Sequence, residues 1–133
     1  MANNRSMPPG TVIPEVPYPD VNQAAEWLAR AFGFAQRLRI GNHRVQLIIG
    51  EGSIIATARA GNSPPHSSIM VHVADVDDHH RQARQQGARI LNPPADYPYG
   101  ERQYTARDLA GHTWTFSQTI ADVDPADWGA VLP

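Results

Sequence analysis

The two halves of this 133-residue chain spell out the same order of elements. Asp20 opens D-V-N-Q, an N-cap with Gln23 placed for a capping box, and Gly33 sits where a left-handed C-terminal cap belongs. Between them Ala24, Ala25, Trp27, Leu28, Ala31 and Phe32 fall at helical spacing and make one apolar stripe. Thr11 to Tyr18 reads as a strand before this helix. Phe34 to Asn42, His43 to Gly50 and Ser53 to Arg59 read as three strands after it, with Gly41-Asn42 and Gly50-Glu51-Gly52 as tight turns. The second half repeats the order. Ser67 to Ala74 is β-rich, and Asp75 or Asp77 caps a polar helix ending at Gly87. Arg89 to Leu91, Arg102 to Arg107 and His112 to Thr119 then supply three more strands. Each βαβββ unit is too small to bury a stable core alone, so the two must pack together in one α+β domain spanning 1–133.

Prolines mark the joints. Gly61-Asn62-Ser63-Pro64-Pro65 divides the chain into modules at about 11–61 and 67–119, and Pro93-Pro94-Ala95-Asp96-Tyr97-Pro98-Tyr99-Gly100 forms a long hairpin in the second. Twelve prolines, about twice the usual share, argue against a helical bundle. The second helix carries only Val76 and Ala83 among Asp, His, Gln and Arg, so it is expected to be far more solvated than the first. Residues 121–133 have no period and form an appended tail. Its Trp128 and Leu132 must cover a surface of this chain or of a partner, or else fray.

Composition removes several function classes. Eleven basic against thirteen acidic residues leave no surplus to hold a polyanion, so no nucleic-acid partner is expected. Without cysteine there are no disulfides, thiolate zinc sites, iron–sulfur clusters or cysteine nucleophiles. No stretch approaches the ~20 apolar residues of a membrane span, and MANNRSMPPG lacks the apolar core of a signal peptide. A cytoplasmic protein without membrane contact is expected.

Helix 1 as D-x-x-x-A-x-x-W-L-x-x-x-F-G-F and the last hairpin as R-D-L-A-G-H-T-W-T-F, set in paired βαβββ units, resemble the vicinal oxygen chelate superfamily of glyoxalase I, bleomycin-resistance proteins and extradiol dioxygenases. The resemblance covers roughly 11–119. It implies an eight-stranded, U-shaped sheet with a concave cleft, helices on the convex face, and a homodimer. Pro14 and Pro17 bear on this, because the first strand of such a sheet lies near its centre, where missing N–H donors are costly; a bulge or irregular strand is expected there.

In metal-dependent relatives four side chains, usually His, Gln and Glu, come from the first and last strands of each module. Counting from the helix caps and from Gly111, the corresponding positions are Ile13, Ser68 and Thr115, with Ile54 to Thr57 for the fourth. None is a ligand type, so no metal and no cofactor are expected, and the usual Lewis acid is lost. Relatives of the bleomycin-resistance type imply instead a cleft that sequesters a small, aromatic molecule.

Alternation along the strands sorts the lining. Ser68, Met70 and His72 face the cleft, as do Thr113, Thr115 and Ser117, while Trp114 and Phe116 enter the core; Thr11, Ile13 and Glu15 face it from the first strand. Glu15, the one carboxylate expected there, is a candidate general base or a partner for a cationic ligand; the alternative is a solvent-facing acid. His72 is a candidate catalytic or ligand-donating group, or a structural histidine. Tyr97, Tyr99, Arg102 and Tyr104 around the long hairpin are candidates to close over an aromatic ligand, or to form a dimer contact. His43, His66, His79 and His80 read as solvated, and His112 as structural. The expected function is binding of a small organic molecule without the usual metal. Its rivals are a lyase, isomerase or dioxygenase acting on a small metabolite, and a module that assembles with another protein.

Overall fold

The computed structural model describes residues 4–59 and 67–131. The joint at 61–65, His66 and Leu132 lie outside the described residues. In chain order the elements are β1 (Glu15–Tyr18), α1 (Val21–Phe32), β2 (Ala35–Ile40), β3 (Arg44–Ile49), β4 (Gly52–Ala58), β5 (Ser68–His72), α2 (Val76–Gln85), β6 (Arg89–Tyr97), β7 (Glu101–Arg107) and β8 (Thr113–Thr119), followed by a 3-10 turn at Pro125–Trp128. The fold is α+β, two βαβββ modules in succession. The eight strands divide between two four-stranded sheets ordered β1-β4-β3-β2 and β5-β8-β7-β6. In each, the first strand runs parallel to the last and the remaining pairs are antiparallel.

Local chemistry fixes the helices. The Asp20 carboxylate accepts from the Gln23 N–H at 3.0 Å, and Gly33 closes α1 at φ 77°. Asp75, rather than Asp77, is the second cap, accepting from the Asp78 N–H at 3.0 Å. The apolar stripe of α1 is buried from Val21 to Phe32, whereas α2 buries only Val76 and Ala83. Phe32 and Phe34 of the first module pack on Trp114 and Phe116 of the second, with centroids 4.8 Å apart for Phe32–Phe116 and 5.2 Å for Phe34–Trp114. Burying such rings stabilises the joined modules by roughly 1.5–3 kcal/mol each. Trp27 Nε1–H also donates to the Gln86 carbonyl at 2.8 Å, tying α1 to the end of α2.

The prolines depart from the sequence reading in two places. Thr11 to Pro14 is not strand, and β1 is an edge that pairs with β4 alone. The carbonyls of Pro14 and Tyr18 accept from the N–H groups of Ile55 and Arg59, both at 2.9 Å, so the even-numbered residues face β4. Pro17 is in the opposite phase and directs its missing donor away from the ladder, where it costs nothing. Pro93 and Pro94, read as loop, lie within β6, which is also an edge strand, and the register shifts between Asn92 and Ala95 accommodate them.

A buried polar seam joins the modules. Asp108 Oδ2 accepts from Tyr18 Oη at 2.6 Å and from Trp114 Nε1 at 3.0 Å, and Oδ1 accepts from the N–H groups of Ala110 and His112, each at 3.0 Å. Burial, and then the charge of Asp108, push the Tyr18 phenol far above its ordinary range. His112 is buried as well. Its Nε2 stands 2.6 Å from the Pro17 carbonyl and must carry the proton, leaving Nδ1 to accept from the Ser67 hydroxyl.

His79 corrects the expectation of a solvated side chain. It is half-buried, its ring 4.1 Å from that of Phe116, with Nε2–H donating to the Phe32 carbonyl at 2.9 Å and Nδ1 accepting from Tyr104 Oη at 2.5 Å.

Candidate functional site

Each sheet has one face under a helix and one turned away from it. In the first module the helix-free face carries Gln46, Ser53 and Ile55, and the segment before β1 lies over it. Arg37 donates to the Arg5 carbonyl at 2.7 Å, Gln46 Nε2 to the Ser6 carbonyl at 2.8 Å, and Ser53 Oγ to the Pro9 carbonyl at 2.6 Å. Pro8 is buried in this contact, and so is Ile55, which stands outside the main core cluster. The chain covers this face with its own N-terminal segment.

In the second module the same face is open and polar. Register places His72 opposite Ser117 and Ser117 opposite Gln103, with Glu101 opposite Thr119 in the next row. The hydrogen bonds run one way. Tyr99 Oη donates to Gln103 Oε1 at 3.0 Å, Gln103 Nε2 donates to Ser117 Oγ at 3.0 Å, and Ser117 Oγ donates to Glu101 Oε1 at 2.6 Å. The Thr119 hydroxyl lies beside this chain, 3.1 Å from His72 Nε2. The Ser117 and Thr119 hydroxyls, with a smaller contribution from the nearby His72, hold the Glu101 carboxyl below the usual carboxylate range.

The tail forms a wall. Tyr97 and Tyr99 stack with centroids 5.5 Å apart, and Trp128 meets Tyr99 edge-on at 5.4 Å. Met70, His72, Tyr99, Glu101, Gln103, Ser117 and Trp128 line an open cavity of about 320 Å³. A second cavity of about 420 Å³ lies between the modules, sharing Met70 and His72 with the first and bounded across the seam by Val12, Pro14 and the β3–β4 turn. Both volumes are within the range of small-molecule pockets.

Met70, His72 and Tyr99 are therefore brought together. Ser68, Thr113 and Thr115 share the helix-free face of β5 and β8 but line neither cavity, and the Thr115 hydroxyl is bonded to Thr105 at 3.0 Å. Ile13 is half-buried ahead of β1 and lines neither. Glu15 is exposed, 3.6 Å from Arg44, and lies on neither cavity. Arg102 and Tyr104 contradict the sequence reading. Both point from β7 to the helix side, where Tyr104 is buried against Phe116 and Arg102 pairs with Asp77 of α2 at 3.0 Å and with Asp96 at 2.9 Å. Glu101 and Gln103 occupy the face that Arg102 and Tyr104 were expected to fill, so Glu15 is not the one carboxylate there. The apolar–polar alternation of Tyr104 and Ala106 against Gln103, Thr105 and Arg107 carries that signal.

Residues 12–116 match the model of the Glyoxalase/Bleomycin resistance protein/Dioxygenase superfamily. The chain belongs to this superfamily. Among solved structures, TioX from Micromonospora sp. ML1 is 32% identical, with a TM-score of 0.72 over 86% of this chain and 100% of that one. A glyoxalase/bleomycin resistance protein/dioxygenase from Nocardioides is 16% identical (TM-score 0.68; 96% of this chain, 91% of that one). A lactoylglutathione lyase from Agrobacterium tumefaciens is also 16% identical (0.66; 84% and 94%); these two share the fold. No curated protein matches the chain.

Superfamily membership implies a divalent metal in the metal-dependent branches, and the residues do not fit one. Ile13 has no donor atom, and Ser68 and Thr115 offer only hydroxyls, which do not hold a divalent ion without imidazole or carboxylate beside them. Among the described residues no three His, Asp or Glu side chains gather closely enough to ligate an ion.

Proposed function

We propose that this glyoxalase/bleomycin-resistance-like chain binds a small, aromatic organic molecule on the helix-free face of its second module, without the superfamily's metal. The observation that carries the reading is the 320 Å³ cavity walled by Trp128 and Tyr99 over a floor of Met70, Gln103 and Ser117. Aromatic walls contribute stacking, and the few placed polar groups orient what stacks on them. His72 and Glu101 stand at its edge; Ser68, Thr113 and Thr115 extend the same face outward. The test is titration of EDTA-treated protein with planar tricyclic aromatics, followed by quenching of indole fluorescence. Saturable one-to-one binding that Trp128→Ala weakens supports the reading, and a requirement for added divalent metal overturns its metal-free part.

A second reading is a lyase, isomerase or dioxygenase acting on a small metabolite, and the hydrogen-bond chain ending on Glu101 beside His72 favours it. The bonds that hold the Glu101 carboxyl low also make it a weak base. Loss of turnover with retained affinity in Glu101→Gln would favour the enzyme over the binder. The proposal includes a cytoplasmic homodimer, and light scattering that returns a monomer mass overturns the dimer.

A further inference from the structure

The charges around the site name a class of ligand within the reading just proposed, on which this inference rests. All eleven basic residues of the chain are arginines, and among the described residues none lines either cavity. Glu101 and Glu51 do line them. On the helix-free face of β7 the nearest arginine is Arg107, six residues along the strand from Glu101 and so about 20 Å away. The tail that supplies Trp128 also carries Asp122, Asp124 and Asp127, all exposed, and no basic residue.

The direction of the hydrogen bonds agrees with the charges. Tyr99 and Ser117 both spend their hydroxyl protons within the chain of bonds that ends on Glu101. The lining offers acceptors in the lone pairs of Tyr99 Oη and in the Glu101 carboxylate, and the donors beside them, the Trp128 indole N–H and the second N–H of Gln103, are neutral. Indole and phenol faces attract cations as well. An anionic ligand would meet carboxylates and no guanidinium. A neutral one would use the aromatic wall and leave the acceptors unpaired.

We infer that the ligand is a planar aromatic cation, or an aromatic ring bearing a protonated nitrogen, whose N–H or positive edge is directed at Glu101 while its ring lies against Trp128 and Tyr99. The occupant is thereby distinguished from neutral and acidic aromatics of the same size.

Three probes of one shape test this at pH 8: 9-aminoacridine, which is cationic, acridine, which is neutral, and acridine-9-carboxylate, which is anionic. The cation is expected to bind roughly tenfold tighter than the neutral ring, and the anion weakest. Raising KCl from about 50 to about 500 mM should weaken the cation severalfold. In Glu101→Gln, which keeps an acceptor for Ser117, the ratio of cation to neutral affinity should fall to within about threefold. Equal or tighter binding of the neutral or anionic probe overturns the charge assignment and leaves the aromatic site standing. An unchanged ratio in Glu101→Gln, or salt-independent binding of the cation, also overturns the assignment. Failure of all three probes to bind overturns the site itself.

Discussion

Trp128 meets Tyr99 at 60° with ring centroids 5.4 Å apart, and this contact makes an open sheet face into a walled cavity. The two residues come from the appended tail and the second-module hairpin, and Gly100 connects them. Its carbonyl accepts from the N–H groups of Ile120 and Ala121 at 2.9 and 3.2 Å, its φ is +83°, and a Cβ there would stand 2.2 Å from the Ala121 carbonyl oxygen.

Gly100→Ala should therefore release the tail from the hairpin while leaving the core intact. The expected outcome is a red-shifted Trp128 emission and affinity for aromatic probes lowered about tenfold, with far-UV circular dichroism unchanged. Retention of full affinity would separate the tail from the site.

The seam between the modules depends on Asp108. Asp108→Ala strands the buried Tyr18 hydroxyl and Trp114 indole N–H, each worth about 1–3 kcal/mol when left without a partner, so a loss of roughly 3–4 kcal/mol is expected in urea denaturation. Tyr18→Phe removes one bond and should cost less, about 1–2 kcal/mol.

His79 makes stability depend on pH. Burial between α1, α2 and Phe116 lowers its proton affinity, outweighing the Phe32 carbonyl and Asp78, which act to raise it. The folded state thus takes up this proton less readily than the unfolded state. The contribution is present above the ordinary imidazole value near 6.5 and is lost as pH falls below it. Half-buried His80 shifts the same way, through burial first and then Arg84. The urea midpoint should drop between pH 8 and pH 5.5, and His79→Gln should reduce that drop.

The N-terminal segment can be tested through its bonds. Gln46→Ala removes the side chain that accepts from Arg37 at 2.6 Å and donates to the Ser6 carbonyl, so trypsin cleavage after Arg5 should accelerate severalfold. An unchanged rate would show that the segment is held by other contacts.

The repeat, both helices and the core aromatics were legible because each rests on local chemistry: Asp20 with Gln23, Gly33 at the helix end, and Trp114 alternating with Thr113 and Thr115. The site was only half legible. Met70 and His72 followed from alternation on β5, but the long hairpin concealed the phase of β7. With Pro93 to Gly100 read as loop, Arg102 and Tyr104 were grouped with Tyr99 by proximity in sequence, although strand geometry sends them to the opposite face. Glu101 and Gln103 were missed for the same reason. That Trp128 folds back on Tyr99, and that residues 5–9 cover the first module, are long-range contacts with no periodic signal to announce them.

The most direct measurement is a ¹⁵N–¹H spectrum of the full chain titrated with 9-aminoacridine. The account predicts shifts at the amides of Met70, His72, Gln103 and Ser117 and at the Trp128 indole N–H, with Gln46 and Ser53 unmoved. Shifts confined to the first module, or no saturable shifts at the second, would contradict it.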